Sequence, residues 1–235
     1  MALLDRNALI FGAGSGISAS FARALAKDGY RVALVARNTD KLAALAAETK
    51  ALVVSADATK PDAVAAAFDE AERAHGPVGV ALYNAAYRVK GPVAELDPAE
   101  VARVLDVTAF GAFLVGREAA RRMLPRKSGT IMFTGASAGV KGYPLSAPFA
   151  MGKFALRGLA QSMVRELHPQ GVHVAHFVID GGVRNPQRNR VEASDAMPDS
   201  FLSPDAIAET YLHVLRQPRS SWSWEVEVRP WVEKF

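Results

Sequence analysis

Residues 8–17 read Ala-Leu-Ile-Phe-Gly-Ala-Gly-Ser-Gly-Ile, an unbroken apolar run that ends in three glycines and leads into a helical pattern. No other feature limits the fold as tightly. Four consecutive apolar residues cut off by glycine suit a strand buried on both faces, and such a strand needs helices above and below its sheet. The same rhythm repeats down the chain. Apolar, β-rich runs predict strands at 8–11, 31–36, 51–55, 78–83, 129–134, 172–179 and 224–228, with alanine-rich helical stretches between them. Two helix starts are strongly marked. Asp97-Pro98-Ala99-Glu100 carries an N-cap, an N1 proline and a capping-box glutamate, and Ser203-Pro204-Asp205 repeats the device. Alternating βα units predict an α/β fold, a doubly wound parallel sheet of about seven strands with helices on both faces.

Half of the 235 residues are hydrophobic, enough for such a core, and no linker breaks the composition, so one domain over 1–235 is expected. The irregular stretch 180–202 would lie beyond a strand's carboxyl end, as a substrate lid or as a variable surface loop. Cysteine is absent, which excludes disulfides, thiolate metal sites and a thiolate nucleophile. The five histidines show no ligand spacing, so no metal is expected. The opening apolar run is too short for a secretory core or a membrane span, giving the expectation of a cytoplasmic protein with no membrane partner. Net charge is a mild +4. The densest basic group, Arg121, Arg122, Arg126 and Lys127, falls at a helix end where cations complement the dipole. It reads as a solvated helix end rather than a nucleic-acid patch.

Gly12, Gly14 and Gly16 stand where the first strand turns into the first helix. Glycines are needed there if the backbone is to turn tightly and meet a pyrophosphate at a helix N-terminus. Gly12, Gly14, Ser15, Gly16 and Ile17 are therefore read as the phosphate site of a Rossmann-type dinucleotide pocket. Twenty residues beyond Gly16, where an NAD-binding chain usually carries an acid for the ribose hydroxyls, this one has Ala36-Arg37-Asn38. A guanidinium can meet a 2′-phosphate and no carboxylate repels it, so NADP(H) is favoured over NAD(H).

Gly12 and Gly16 match the first two glycines of a G-x-x-x-G-x-G pattern, with Ser18 in place of the third. Ala56-Asp57-Ala58 follows the third strand, Tyr83-Asn84-Ala85-Ala86 the fourth, and Val104-Leu105-Asp106-Val107-Thr108 lies in the next helix. In this order, across essentially the whole chain, these elements resemble the short-chain dehydrogenase/reductase family. The resemblance implies that Asp57 and Ala58 meet the adenine, that Asn84 and Ala85 shape the pocket under the ribose, and that Gly181 and Val183 support the nicotinamide end. It also implies a homodimer or homotetramer paired through helices equivalent to 97–124 and 148–167.

In that family a tyrosine four residues before a lysine donates the proton, the lysine lowers the phenol's pKa and contacts the nicotinamide ribose of the cofactor, and a serine about a dozen residues upstream polarises the carbonyl. Here Lys153 is in place, Phe149 holds the tyrosine position, Ala136 the serine position with Ser137 one residue late, and Thr108 the position of a helical asparagine. Asp180-Gly181 stands for the family's P-G pair. A phenyl ring cannot exchange a proton, and general acid–base catalysis is typically worth roughly a hundred- to ten-thousand-fold. The pattern, with the carboxyl-terminal 217–235, resembles an atypical branch that lacks the tyrosine and has an incomplete glycine motif. Candidate catalytic residues are then Lys153 itself, Tyr143 and Ser137, with Tyr87 a further phenol near the same edge. The expected function is an NADP(H)-dependent oxidoreductase of atypical mechanism acting on a small carbonyl or enone. The alternative is a catalytically inactive NADP(H)-binding sensor or partner subunit. Arg184, Arg188 and Arg190 are read either as a solvated run or as groups for an anionic substrate.

Overall fold

The computed structural model describes residues 6–192 and 197–234. Seven strands, β1 (Asn7–Phe11), β2 (Arg31–Ala36), β3 (Leu52–Ser55), β4 (Val78–Tyr83), β5 (Thr130–Thr134), β6 (His173–Ile179) and β7 (Glu225–Val228), lie within one residue of the predicted bounds. All pair in parallel, in the order β3-β2-β1-β4-β5-β6-β7. The winding direction reverses between β1 and β4. The loops that leave their carboxyl ends diverge there and open a crevice, the usual ligand position in such sheets.

The period-2 alternation divides the core into two layers. On one face Leu9, Phe11, Ala81 and Phe133 pack under α3 (Pro61–His75), α5 (Gly111–Met123) and α6 (Ala147–Leu167). On the other, Ala8, Ile10, Leu82 and Phe177 meet α1 (Ile17–Lys27) and α7 (Pro204–Leu215), with Leu45 of α2 (Ala43–Thr49) alongside. Among the described residues no helix is long and apolar enough to cross a membrane.

The helix starts follow the sequence signals, with one correction. The Asp97 carboxylate caps α4 (Pro98–Leu105) by accepting from the Ala99 N–H, and Ser203 caps α7 from the Ala206 N–H. Glu100 does not complete the expected capping box: it accepts from the Tyr87 hydroxyl at 2.5 Å. The basic helix end is also less solvated than expected. Arg122 bridges Glu118, Asp69 and Glu72, and Arg126 donates to the Val78 carbonyl, so these side chains tie α5 to α3 and β4.

Between α4 and α5 the helix widens into a π-turn, Asp106–Phe110. Such bulges reposition one residue out of helical register. Here Thr108 is fully buried, and the Val107 carbonyl accepts from the Tyr83 hydroxyl. The stretch expected to be irregular carries some order. Val183 bridges to Leu202, Asn185 bridges to Arg190, and Pro186–Arg188 makes one helical turn. Its residues 193–196 lie outside the described residues.

Candidate functional site

The glycine turn sits at the crevice. Gly12 has φ +79°, and a Cβ there would stand 2.4 Å from the Ala85 nitrogen, so only glycine fits. Gly14 differs. A Cβ on it would meet nothing, yet it lines the groove, so its bare backbone leaves room for an occupant. Ser18, where a third glycine was the pattern, closes the turn from inside: its hydroxyl accepts from the Gly14 N–H at 3.0 Å and lies 3.3 Å from the Gly12 and Gly14 carbonyls. The departure from the motif is thus a brace on the loop. Gly16 caps α1 with no side chain, which leaves the positive end of the helix open to an anion.

From this turn a groove of about 730 Å³ runs over the edge of β2 and β3. It is lined by Gly12, Gly14, Ser15, Gly16, Ile17, Arg37, Asp57, Ala58, Asn84, Ala85 and Val183, all expected from the sequence. Asn84 donates to the Gly12 carbonyl at 3.4 Å and joins β4 to the turn. Asp57 is held below the usual carboxylate range, first by the Thr59 N–H and also by the Thr59 hydroxyl and the Arg37 charge, against a burial effect of opposite sign. It remains an anion facing the groove at neutral pH.

Sequence reasoning missed several lining residues or left them undecided. Lys41 lines the floor beside Arg37. Arg188 and Arg190 line the groove from the 180–202 stretch, whereas Arg184 turns away into ion pairs with Glu192 and Asp199. Asn185 reaches across to donate to the Ser15 hydroxyl at 3.2 Å, and its own buried Oδ1 has no partner among the described residues. A buried acceptor without a partner costs about 1–3 kcal/mol, so its presence on the groove wall points to an absent donor. No local signal marks Asn185, because it meets the turn only in three dimensions.

Lys153 lies deeper, on α6, and is not among the residues lining the groove. It is 3% exposed, donates from Nζ to the Thr134 carbonyl at 2.6 Å, and burial pulls its pKa down to about 7. Phe149 stands one turn before it, with Lys153 Nζ 5.8 Å and the Arg88 guanidinium 4.9 Å from the ring centre. Thr108 packs under this helix so closely that a Cβ at Gly152 would meet it at 3.0 Å. Among the described residues no hydrogen bond joins Lys153 to Tyr143 or Ser137. Tyr143 is 39% exposed beside Lys141, and Ser137 opens a short helical turn after Ala136. Gly181 supports the carboxyl-terminal segment: a Cβ would meet Pro230 at 2.7 Å. Neighbouring Asp180 is buried between Lys141 and Arg229. A second hollow of about 720 Å³ opens at the amino ends of β5, β6 and β7, lined by Lys127, His168, Arg219 and Trp222. It lies at the opposite edge of the sheet and shares none of this chemistry.

The family model for short chain dehydrogenase matches residues 6–194. A protein of Xanthobacter autotrophicus named inactive 2-(S)-hydroxypropyl-CoM dehydrogenase 2 is 32% identical over 83% of this chain and 90% of its own length. Among solved structures, a short-chain dehydrogenase from Rhodopseudomonas palustris is 37% identical and superposes with a TM-score of 0.81, covering 95% of this chain and 98% of its own. A metagenomic short-chain oxidoreductase in complex with NADP is 30% identical with a TM-score of 0.82, covering 97% of this chain and 98% of its own.

Proposed function

The chain belongs to the short-chain dehydrogenase family, and from that premise we propose that it binds NADP(H) in the groove and, without the family's serine–tyrosine pair, reduces a small carbonyl or enone or oxidises the corresponding alcohol or saturated ketone. The charge of the groove carries this reading. Among the described residues Arg37, Lys41, Arg188 and Arg190 line it against one acid, Asp57, a balance suited to a ligand with a pyrophosphate and a further phosphate. The unfilled Gly14 face fits the same occupant, and the Asn185 Oδ1, unpartnered among the described residues, suits a donor on it such as a ribose hydroxyl.

Bound there, the nicotinamide would supply the hydride. The protein's part is to orient it and to manage the proton. Lys153, about half protonated near pH 7, is a buried group able to give or take a proton in that range. Tyr143 and Ser137 remain candidates only if the 136–146 loop turns them toward Lys153. Phe149 and Ala136 favour a second reading, an inactive cofactor-binding sensor or partner subunit, and one relative bears the word inactive in its own name. The apolar side chains of Phe110, Phe113, Met151 and Phe154, each 42–50% exposed, support pairing of this face with a second copy.

A fluorescence titration with NADPH and then NADH tests the proposal. NADPH is expected to bind at least tenfold tighter, and Arg37→Ser to remove most of that difference while sparing NADH. Failure of both cofactors to bind at millimolar concentration sinks the oxidoreductase reading. Binding without turnover across a panel of ketones and enones favours the second.

A further inference from the structure

Resting on the oxidoreductase reading, we propose that Arg88 is the specificity-determining residue of the substrate mouth and that the substrate carries a carboxylate, held by its guanidinium beside the Phe149 ring.

One loop connects the cofactor groove to this mouth. Asn84, Ala85 and Ala86 line the groove. Four residues past Asn84, Arg88 stacks on Phe149 at 4.9 Å, and further along the Gly91 N–H donates to the Leu145 carbonyl. The loop is pinned between these points by the Tyr87 N–H, 3.4 Å from the buried Thr108 hydroxyl. The exposed Arg88 side chain therefore starts from an anchored loop and reaches the ring that occupies the turn before Lys153.

Its charge is not neutralised locally. Glu100 is taken by the Tyr87 hydroxyl and by Arg103, which itself lies over the Tyr87 ring at 4.4 Å. Asp180, the buried acid after β6, is shared by Lys141 and Arg229. Among the described residues Arg88 makes no ion pair and no hydrogen bond, and its guanidinium lies over the Phe149 face. A guanidinium lying over a ring face keeps its N–H donors free for a ligand. The guanidinium fork matches a carboxylate in two parallel, charge-assisted hydrogen bonds, whereas a neutral ketone offers one oxygen and no charge.

The test is calorimetric titration of the wild-type protein, cofactor-free and with NADPH, using acetoacetate and benzoylformate beside their methyl esters. Each acid is expected to bind at least tenfold tighter than its ester, and Arg88→Leu to abolish that preference with NADPH affinity unchanged within twofold. Equal affinity for acid and ester, no binding of either acid, or a preference that survives in Arg88→Leu overturns the assignment. If Arg88→Leu fails to fold, seen as loss of NADPH binding, Arg88→Gln decides: it keeps size and hydrogen bonding without charge, and an undiminished preference in it also overturns the proposal. Should the wild type bind no NADPH, the oxidoreductase reading falls separately, and the titrations of cofactor-free protein still decide the role of Arg88.

Discussion

Lys153→Met should stabilise the protein in mild acid and destabilise it in alkali. In the fold the buried amine has a pKa of about 7 against an ordinary 10.5. The unfolded chain therefore keeps this proton over a window in which the folded chain has lost it. Between about pH 7 and 10.5 unfolding takes up a proton, so wild-type stability rises with pH there and, for this group, is flat outside the window. At about 1.4 kcal/mol per pH unit, the burial costs the fold at most ~5 kcal/mol below pH 7. Methionine keeps the stem's volume and removes the charge, but strands the Thr134 carbonyl that Nζ meets at 2.6 Å, a loss of about 1–3 kcal/mol. The variant should thus be more stable by about 2 kcal/mol at pH 6, roughly 4–8 °C in Tm for a chain of this size. Near pH 10.5 the difference should reverse, because only the stranded carbonyl is left. Thermal melts of cofactor-free protein from pH 5.5 to 10.5, followed by circular dichroism, measure both limbs. A Tm difference that does not change with pH would refute the reasoning, since it would mean that Nζ keeps its ordinary affinity for the proton.

Gly12→Ala should lose NADPH binding and at least about 2 kcal/mol of stability, because the new methyl meets backbone atoms of Ala85 that cannot rotate away; an unchanged denaturation midpoint would contradict this. Gly135→Ala should cost about 1–3 kcal/mol by overpacking, since its Cβ would lie 2.3 Å from the fully buried His176 Nε2. Urea unfolding checks it, and a neutral substitution would show that the His176 ring can move. Replacing Arg188 and Arg190 together by alanine should weaken NADPH binding at least tenfold at low salt and flatten its salt dependence. Unaltered affinity would show that these arginines serve solvent rather than the groove.

The two levels of information divide according to range. Strands, helices and the glycine turn were legible because each rests on a local rule: apolar runs ended by glycine, the Ser203 and Asp97 caps, and the φ > 0 turn that only Gly12 satisfies. The parallel sheet follows from the alternation of βα units, and with it the placing of Asp57, Asn84 and Arg37 at strand ends around one crevice. Local rules erred where a competing partner came from elsewhere. Glu100 left the capping box for the Tyr87 hydroxyl, and Arg122 joined acids of α3. Asn185 reached Ser15 across 170 residues, Arg188 and Arg190 were separated from Arg184, and Arg88 found the Phe149 face. Sequence by itself determined the scaffold and the phosphate-facing turn, because backbone hydrogen bonding and burial act on neighbouring residues. Only the tertiary structure decided which cations are spent in ion pairs and which remain to meet a ligand, because pairing depends on side chains that the fold alone brings within reach.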